Sequence, residues 1–375
     1  MSASFCVVLR LIIIMKILHV VGARPNFMKS APVMAALASR DSVSQLLVHT
    51  GQHYDANMSE VFFNQLGMPK PDINLEVGSE SHAVQTAQIM IRIEEVLLEQ
   101  KPDLVLVYGD VNSTIAAALV CAKLLIPLAH VEAGLRSFDR TMPEEINRLL
   151  TDQIADLLFT PSKDGDENLV REGVAKEKIH LVGNVMIDTL IRLLPKASIA
   201  GLRNLGIKGL EESYGLVTLH RPSNVDDSEM LIKIMQTLEA VSNDLPVIFP
   251  IHPRTHQRLR NSNFKTRNSN LHLIDPVGYL EFLSLQKNAT LVITDSGGIQ
   301  EETTFLGVPC LTVRENTERP ITVEMGTNIV VGQDMELLKI EVYRILNGNG
   351  KKGSIPPLWD GKAGKRIADV IAGCG

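Results

Sequence analysis

Short apolar runs alternate with longer amphipathic stretches along most of the chain. The run Leu104–Tyr108 is apolar without alternation, which is typical of a parallel strand buried on both faces. Strands are predicted at Lys16–Val21, Gln45–His49, Leu104–Tyr108, Pro127–Val131, Leu157–Thr160, Ile179–Val182, Tyr214–Leu219, Val247–Ile251, Leu271–Ile274, Leu291–Thr294 and Pro309–Val313. Helices are predicted between them, for example at Ala83–Gln100, Ser113–Leu124 and Glu229–Ser242. Strand–helix alternation predicts a doubly wound α/β fold.

The two halves of the chain resemble each other. Val20–Pro25 ends the first strand of one half, and Val217–Pro222 ends the first strand of the other. Because 375 residues exceed one ordinary core, we expect two Rossmann-like doubly wound domains facing across a cleft. The predicted boundaries are residues 1–182 and 183–359. A final helix at Lys362–Ala372, within residues 360–375, is a candidate to pack back on the first domain.

The stretch from Phe5 to Val21 is apolar, but Arg10, Lys16 and His19 interrupt it. A signal peptide is one interpretation, yet a basic start and a good cleavage site are missing. We therefore expect a strand from Met15, with residues 1–14 as an extension. Apart from this start, no stretch reaches the roughly 18 apolar residues of a membrane helix.

Composition narrows the class of protein. Aromatic residues make up 4% and the net charge is −6, which argues against a nucleic-acid or general polyanion binder. The four cysteines lie far apart, so neither a disulfide framework nor a zinc site is expected, and a reduced cytoplasmic location fits. Cys121 and Cys310 lie in apolar stretches and are predicted to be buried.

The strongest chemical motif is Thr294–Glu302, with the sequence TDSGGIQEE. A predicted strand ends, Ser296, Gly297 and Gly298 form a turn, and a helix begins. Glycines let backbone N–H groups approach an anion, and the helix N-terminus adds partial positive charge. Ser296 could cap the helix and donate to phosphate, and Glu302 could accept both hydroxyls of a ribose. The motif favours nucleotide-diphosphate binding over a plain turn.

A second motif, Gly22–Lys29, follows the first strand and supplies Arg24 and Lys29. Two cations at the carboxyl end of a strand suit a diphosphate. The alternative is a helix-entry loop with solvated charges.

Three acids also come at or just after predicted strand ends: Asp110, Glu132 and Glu144. Converging carboxylates could act as general acid and base where burial or repulsion raises some of their pKa values. The alternative makes Asp110 and Glu144 helix N-terminal caps. Glu132 is harder to explain as a surface residue.

Two histidines, His220 and His252, follow strands of the second half and suit proton transfer or phosphate contact. The chain lacks HExxH and CxxC spacing, so no metal is predicted. A GxGxxG after the first strand is also missing, which argues against a nicotinamide cofactor. Arg319 could contact a sugar or phosphate, or belong to a salt-bridged loop.

Together these motifs resemble the non-hydrolysing UDP-N-acetylglucosamine 2-epimerases, in order from about Met15 to the C-terminus. The matching segments are GARP at Gly22, GQH at Gly51, GD at Gly109, HVEAGLR at His130, PEEINR at Pro143, VGN at Val182, LHR at Leu219, DSGGIQEE at Asp295 and TERP at Thr317. The resemblance implies the two-domain GT-B fold and interconversion of UDP-GlcNAc and UDP-ManNAc. It also implies a homodimer, no metal or redox cofactor, and a role in cell-surface polysaccharide precursor synthesis.

The resemblance also implies residue roles. Catalysis would fall to Asp110, Glu132, Glu144 and His220, and substrate binding to Arg24, Lys29, His252, Phe282, Ser296, Gly297, Gly298, Glu302 and Arg319. Phe282 enters through Pro276–Phe282, which matches the uracil loop of the family. Such enzymes eliminate UDP to leave a 2-acetamidoglucal and then re-add it.

The chain departs from the family pattern at two positions, and several alternatives for its ligands and activity stay open. Asp55 stands where substrate-activated members carry a second Gln, which puts an activating UDP-GlcNAc site in doubt. Val277 stands where some members use Gln against uracil. Gln52–Met58 and Asp275–Tyr279 also resemble relatives acting on UDP-2,3-diacetamido-glucuronate. A GT-B glycosyltransferase, a hydrolysing epimerase and a non-catalytic nucleotide sensor are further alternatives.

Overall fold

The first sheet has seven strands in the order β3-β2-β1-β4-β5-β6-β7. The structure, a computed structural model, describes residues 14–52, 60–197, 213–262, 264 and 268–373. The strands are β1 (Met15–Val21), β2 (Val43–His49), β3 (Ile73–Asn74), β4 (Leu104–Tyr108), β5 (Leu128–Val131), β6 (Leu157–Thr160) and β7 (Ile179–Leu181). The helices between and after them are α1 (Arg24–Leu37), α2 (Glu60–Leu66), α3 (His82–Gln100), α4 (Asn112–Leu124), α5 (Pro143–Ile154), α6 (Lys163–Arg171) and α7 (Val185–Leu193).

The second sheet has six parallel strands in the order β10-β9-β8-β11-β12-β13. Its strands are β8 (Gly215–Thr218), β9 (Val247–Pro250), β10 (Leu271–Ile274), β11 (Leu291–Thr294), β12 (Cys310–Thr312) and β13 (Asn328–Val330). Its helices are α8 (Pro222–Val225), α9 (Ser228–Val241), α10 (Pro253–Asn261), α11 (Tyr279–Asn288), α12 (Gly297–Leu306), α13 (Pro320–Glu324) and α14 (Met335–Leu346), and α15 (Ala363–Gly373) ends the described chain.

In each sheet, the order in which successive strands are added reverses at one place. In the first sheet the order turns back between β1 and β4, which pair in parallel, and in the second it turns back between β8 and β11. Connections leave to opposite sides at such a point and open a crevice at the carboxyl ends of the strands. We call the carboxyl ends of β1 and β4 the first switch point, and those of β8 and β11 the second switch point.

The strand predictions agree closely with the structure. Strands β4, β6, β10 and β11 have the predicted bounds, and β1 begins at Met15 as expected. The other predicted strands differ by one or two residues at one or both ends. The sequence pattern missed β3 and β13, which have two and three residues.

Contacts between residues divide the described chain into two compact units. One holds residues up to Ala133, Ile146–Phe159 and residues from Gly364, and the other holds Gly134–Glu145 and Thr160–Ala363, including β7. Within the first unit, α15 lies against α1, where Gly364 approaches the backbone of Pro32. Arg40, just after α1, forms an ion pair with Asp369 of α15. The predicted domain boundary near Gly183 stays a prediction.

Apolar packing fixes the two sheets. All five residues of β4 are buried, as the unbroken apolar run predicts. In the second unit one buried cluster packs α9 and α14 against one face of the sheet, and another packs α11 against the other face. Cys121 and Cys310 are buried free thiols, which confirms their prediction. No helix in the described part of the chain is long and apolar enough to cross a membrane.

Candidate functional site

Lys29 and Glu132 form a buried ion pair at the first switch point. Lys29 lies on α1, and its Nζ is 2.7 Å from Glu132 Oε1, with side chains 7% and 3% exposed. Glu132 follows β5 and has a φ of 74°, a left-handed conformation that costs an ordinary residue free energy. Tertiary contacts therefore hold this carboxylate in a strained place beside a cation.

Gly109 joins this pair to Asp110. Its φ is 63°, and a Cβ at this position would lie 2.6 Å from Lys29 Nζ, so both the turn and the close approach require glycine. Its N–H donates to the Val131 carbonyl at 3.0 Å. The turn after β4 thus packs directly against the Lys29 ammonium group and the end of β5.

Asp110 is held by a cation as well. Arg148 of α5 donates from Nη1 to Asp110 Oδ2 at 2.5 Å, and the arginine side chain is 3% exposed while that of Asp110 is 25% exposed. The alternative that Asp110 caps α4 is wrong, because the N-cap is Val111 and no side chain caps that helix end. The Asp110 carboxylate is positioned by a guanidinium group and still reaches solvent.

Two further residues from the predicted set, Arg24 and Glu144, lie in first helical turns. Arg24 is exposed in the first turn of α1, beyond the end of β1. Glu144 is half-buried in the first turn of α5, where the helix dipole favours an acid. By its contacts Glu144 belongs to the second unit, whereas Asp110 and Glu132 belong to the first. The structure therefore brings Lys29, Asp110 and Glu132 together, and Glu144 is grouped apart from them.

At the second switch point, α12 begins directly after β11. Ser296 occupies the N-cap position but makes no side-chain cap bond, so the predicted cap is wrong in that detail. Its N–H donates to Thr294 Oγ1 at 3.0 Å. The first N–H groups of a helix have no partner within the helix, and here they belong to Gly297 and Gly298. The turn therefore has the backbone geometry that the predicted anion site requires.

His220 is oriented by a buried carboxylate. Asp295 follows β11, is fully buried, and lies 2.9 Å from His220 Nδ1. It also accepts from the N–H groups of His220 and Arg221 and from Asn224 Nδ2. Burial works to raise the pKa of Asp295, but the hydrogen bonds and the His220 charge outweigh it, and the pKa lies below its usual value. The His220 side chain stays 59% exposed, so its ring faces solvent in a fixed orientation.

Glu302 lies in the second turn of α12 and is almost fully buried. Tyr279 donates its hydroxyl to Glu302 Oε1 at 2.8 Å. Burial raises the pKa of Glu302 to about 7, although the Tyr279 hydrogen bond opposes this shift. A carboxyl with this pKa binds a proton readily near neutral pH.

Arg319 sits beneath the glycine turn in a network of acids. Its Nε lies 2.9 Å from Glu301 Oε1, and its Nη1 donates to Glu318 Oε1 at 2.6 Å. A Cβ at Gly297 would collide with Arg319 Nη1. The salt-bridged loop considered from the sequence is therefore present, and it places a buried guanidinium group against Gly297.

The remaining predicted residues lie on other elements of the second unit. His252 caps α10, accepting from the Arg254 N–H at 3.2 Å, and is exposed. Phe282 is half-buried on α11 and packs with Val277 against the apolar cluster on that face of the sheet. A cavity of about 420 Å³ lies beside Val277, lined by Ile251, His256, Leu273, Ile274, Asp275, Pro276 and Val277. The predicted uracil loop thus borders this cavity.

A larger cavity of about 870 Å³ lies between α9 and α10. Its lining includes Arg254 and Arg258, both paired with Asp226, and none of the predicted site residues. Among the described residues no group of three or more His, Cys, Asp or Glu side chains is placed to hold a metal ion.

Three residues of these sites are absent from the set predicted from the sequence. Arg148 stands in the PEEINR segment, but only the fold shows that its side chain reaches Asp110. Asn147 beside it donates to the Asp110 carbonyl at 2.8 Å. Asp295 follows a predicted strand directly, and that signal could have identified it.

Asp55, on which the prediction about an activating UDP-GlcNAc site rests, lies outside the described residues.

Comparisons with known proteins identify the family. A family model described as UDP-N-acetylglucosamine 2-epimerase matches residues 35–372. A UDP-N-acetylglucosamine 2-epimerase of Methanococcus maripaludis is 46% identical over 368 residues, covering 96% of this chain and 98% of its own. This chain belongs to the UDP-N-acetylglucosamine 2-epimerase family.

Other members of this epimerase family agree in fold. The crystal structure of the Methanocaldococcus jannaschii UDP-GlcNAc 2-epimerase, in complex with UDP-GlcNAc and UDP, is 45% identical with a TM-score of 0.87, covering 96% of this chain and 99% of that one. A UDP-2,3-diacetamido-2,3-dideoxy-D-glucuronate 2-epimerase of Pseudomonas aeruginosa is 43% identical over 361 residues, covering 96% and 99%. The two parallel sheets and these likenesses confirm the predicted fold class.

Proposed function

We propose that this chain interconverts UDP-GlcNAc and UDP-ManNAc. The observation that carries the proposal is the first switch point, where Asp110 and Glu132 are each held by a buried cation in a chain of this family. Two relatives named UDP-N-acetylglucosamine 2-epimerase, 46% and 45% identical over nearly the whole chain, support the substrate.

The proposed chemistry follows from the sugar. Carbon 2 carries no acidifying carbonyl, so direct removal of its proton and return to the other face is implausible. Elimination of UDP, leaving a 2-acetamidoglucal, followed by protonation of C2 and re-addition of UDP, avoids a free carbanion. This route needs an acid and a base, and we assign these roles to Asp110 and Glu132, with Glu144 and His220 as further members of the predicted set.

The same route needs UDP to be held while the C1–O bond breaks. We assign the diphosphate to the α12 N-terminus, where the N–H groups of Gly297 and Gly298 and the Ser296 hydroxyl can donate. Glu302 would bind the ribose hydroxyls, and the cavity beside Val277 would take the uracil. Arg24, Lys29, His252, Phe282 and Arg319 keep their predicted roles in substrate binding as part of this proposal.

A second candidate substrate is UDP-2,3-diacetamido-glucuronate. The 43% identical relative from Pseudomonas aeruginosa carries that activity in its name, and it supports this alternative. The family resemblance favours UDP-GlcNAc, because relatives of the other branch usually lack the Arg-Pro pair that stands here at Arg319 and Pro320. The homodimer, the cytoplasmic location and the role in polysaccharide precursor synthesis stay predictions.

The test is incubation of the purified chain with UDP-GlcNAc alone, followed by separation of the nucleotide sugars. We expect UDP-ManNAc to accumulate to an equilibrium mixture without any acceptor. Stoichiometric free UDP with free ManNAc would instead identify a hydrolysing enzyme. A parallel incubation contains UDP-2,3-diacetamido-glucuronate instead. Epimerisation of that sugar, with none of UDP-GlcNAc, would overturn the substrate assignment.

A further inference from the structure

His130 is a buried histidine of β5 that the proposed chemistry does not use. Its ring is fully buried, with Nδ1 2.6 Å from Asp152 Oδ1 and Nε2 2.8 Å from the Gly109 carbonyl oxygen. Asp152 is equally buried on α5. Both contacts are short, and together they link helix α5 to the turn that carries Asp110.

The acceptors fix the direction of these hydrogen bonds. A carbonyl oxygen can only accept, so Nε2 of His130 carries a hydrogen and donates it to Gly109. A second proton lies between Nδ1 and the Asp152 carboxylate. Because Asp152 occupies Nδ1, the ring is held in the orientation in which Nε2 points at Gly109.

Helix α5 therefore holds the Gly109–Asp110 turn at three points. Asn147 Nδ2 donates to the Asp110 carbonyl at 2.8 Å, and Arg148 Nη1 donates to the Asp110 carboxylate at 2.5 Å. Asp152, one helical turn after Arg148 on the same face, acts through His130 on the Gly109 carbonyl. Main chain and side chain of the turn are thus both fixed from one helix.

We propose that His130, oriented by its pair with Asp152, is a positioning residue that sets the Asp110 carboxylate for catalysis. The inference rests on the proposed function, because it takes Asp110 as an acid or base. The pair does not touch the substrate. Its effect runs through the Gly109 carbonyl, and a displacement of about 1 Å in a reacting group can cost about 100-fold in rate.

Two substitutions of His130 separate positioning from simple core packing. Gln places its amide nitrogen near the position of Nε2, so His130→Gln keeps a donor for the Gly109 carbonyl. Asn places its amide nitrogen near Nδ1, so His130→Asn keeps a partner for Asp152 and loses the donor to Gly109. A positioning role favours Gln, whereas a role limited to satisfying buried Asp152 favours Asn.

We expect His130→Asn to lower kcat about 10- to 100-fold with KM for UDP-GlcNAc within about threefold, and His130→Gln to restore most of the loss. His19→Asn is the matched control, since His19 is also a fully buried strand histidine with two side-chain partners, Tyr108 and Gln45. It should lower the melting temperature with little change in kcat. Equal kcat for wild type and His130→Asn, or a slower His130→Gln than His130→Asn, would overturn the proposal.

Crystal structures of the three proteins provide a readout that does not depend on activity. In His130→Asn the Gly109 carbonyl should rotate and the Asp110 carboxylate should leave Arg148, while both stay in place in His130→Gln. If the wild type epimerises neither candidate substrate, the proposed function fails, and the turn displacement still decides whether His130 positions Asp110. An unmoved turn in His130→Asn contradicts the pair's role in either case.

Discussion

The two switch points share one topology but distribute charge in opposite ways. At the first, buried cations hold the carboxylates: Lys29 pairs with Glu132, and Arg148 pairs with Asp110. At the second, a buried carboxylate, Asp295, holds the exposed ring of His220 beside an open helix N-terminus. The first arrangement presents oriented acids, and the second presents oriented donors. A doubly wound sheet thus fixes where a site lies, and the residues after each strand decide its chemistry.

The largest effect is expected from substitutions that remove a carboxylate of the first switch point and leave the second switch point intact. Asp110→Asn or Glu132→Gln should lower kcat by about 10²- to 10⁴-fold, because each removes a group that we propose exchanges a proton. UDP affinity, measured by calorimetry, should change little. Asp103→Asn is the control. Asp103 lies in the same unit, and its carboxylate accepts an exposed hydrogen bond from the backbone N–H of Lys16. A strong loss of UDP affinity in Asp110→Asn would contradict the division of roles.

The second largest effect is a pH dependence of the free energy of unfolding, which follows from the raised pKa of Glu302. In the unfolded chain a Glu titrates near 4.5, and in the folded protein near 7, so the folded state holds the extra proton between these values. Stability from this group is therefore complete below about pH 4.5 and is lost as pH rises through 7. The free energy of unfolding of wild type relative to Glu302→Gln should fall by about 3 kcal/mol from pH 4.5 to 8.

Denaturant titrations at several pH values measure this difference. Glu95→Gln is the control, because Glu95 is exposed in the middle of α3, away from the helix ends. Its difference from wild type should change far less over the same pH range than that of Glu302→Gln. A constant difference for Glu302→Gln would show that the carboxyl is not desolvated as the structure indicates.

The third effect has the opposite sign and concerns Asp295. Its pKa lies below the usual value, so its stabilising contribution is present above about pH 4 and is lost as pH falls further. At neutral pH, Asp295→Asn should lower the free energy of unfolding by about 2 kcal/mol, because charge-assisted hydrogen bonds to His220, Arg221 and Asn224 are weakened. The deficit should shrink in acid. Asp227→Asn, at the cap of α9, gives the size of a charge loss where the side chain still caps the helix, because Asn caps about as well as Asp.

The smallest effect compares the two glycines of the α12 turn. Gly297→Ala should cost about 1–2 kcal/mol of stability, because its Cβ would collide with Arg319. Gly298→Ala should be neutral or stabilising by up to about 1 kcal/mol, since the nearest atom to its Cβ is Met186 Cε at 3.9 Å. Thermal unfolding of both variants measures the difference. Equal losses would mean that Arg319 does not pack against Gly297.

The sequence could predict the fold because buried parallel strands such as β4 and β11 are unbroken apolar runs. It could also place Asp110, Glu132, His220 and Ser296 near strand ends, since position after a strand is a local property. It could not predict that Arg148 reaches Asp110 across 38 residues, or that Lys29 is buried against Glu132 across 103. Those pairings depend on helix orientation, which no local pattern records.

The most direct test of the account is NMR of UDP-GlcNAc incubated with the protein in D₂O. Elimination and re-addition predict UDP-ManNAc, with deuterium at C2 of both recovered nucleotide sugars, because this route protonates C2 from solvent in each direction. Asp110→Asn and Glu132→Gln should slow this incorporation and the epimerisation together. Epimerised product that keeps its C2 protium would contradict the proposed elimination and re-addition.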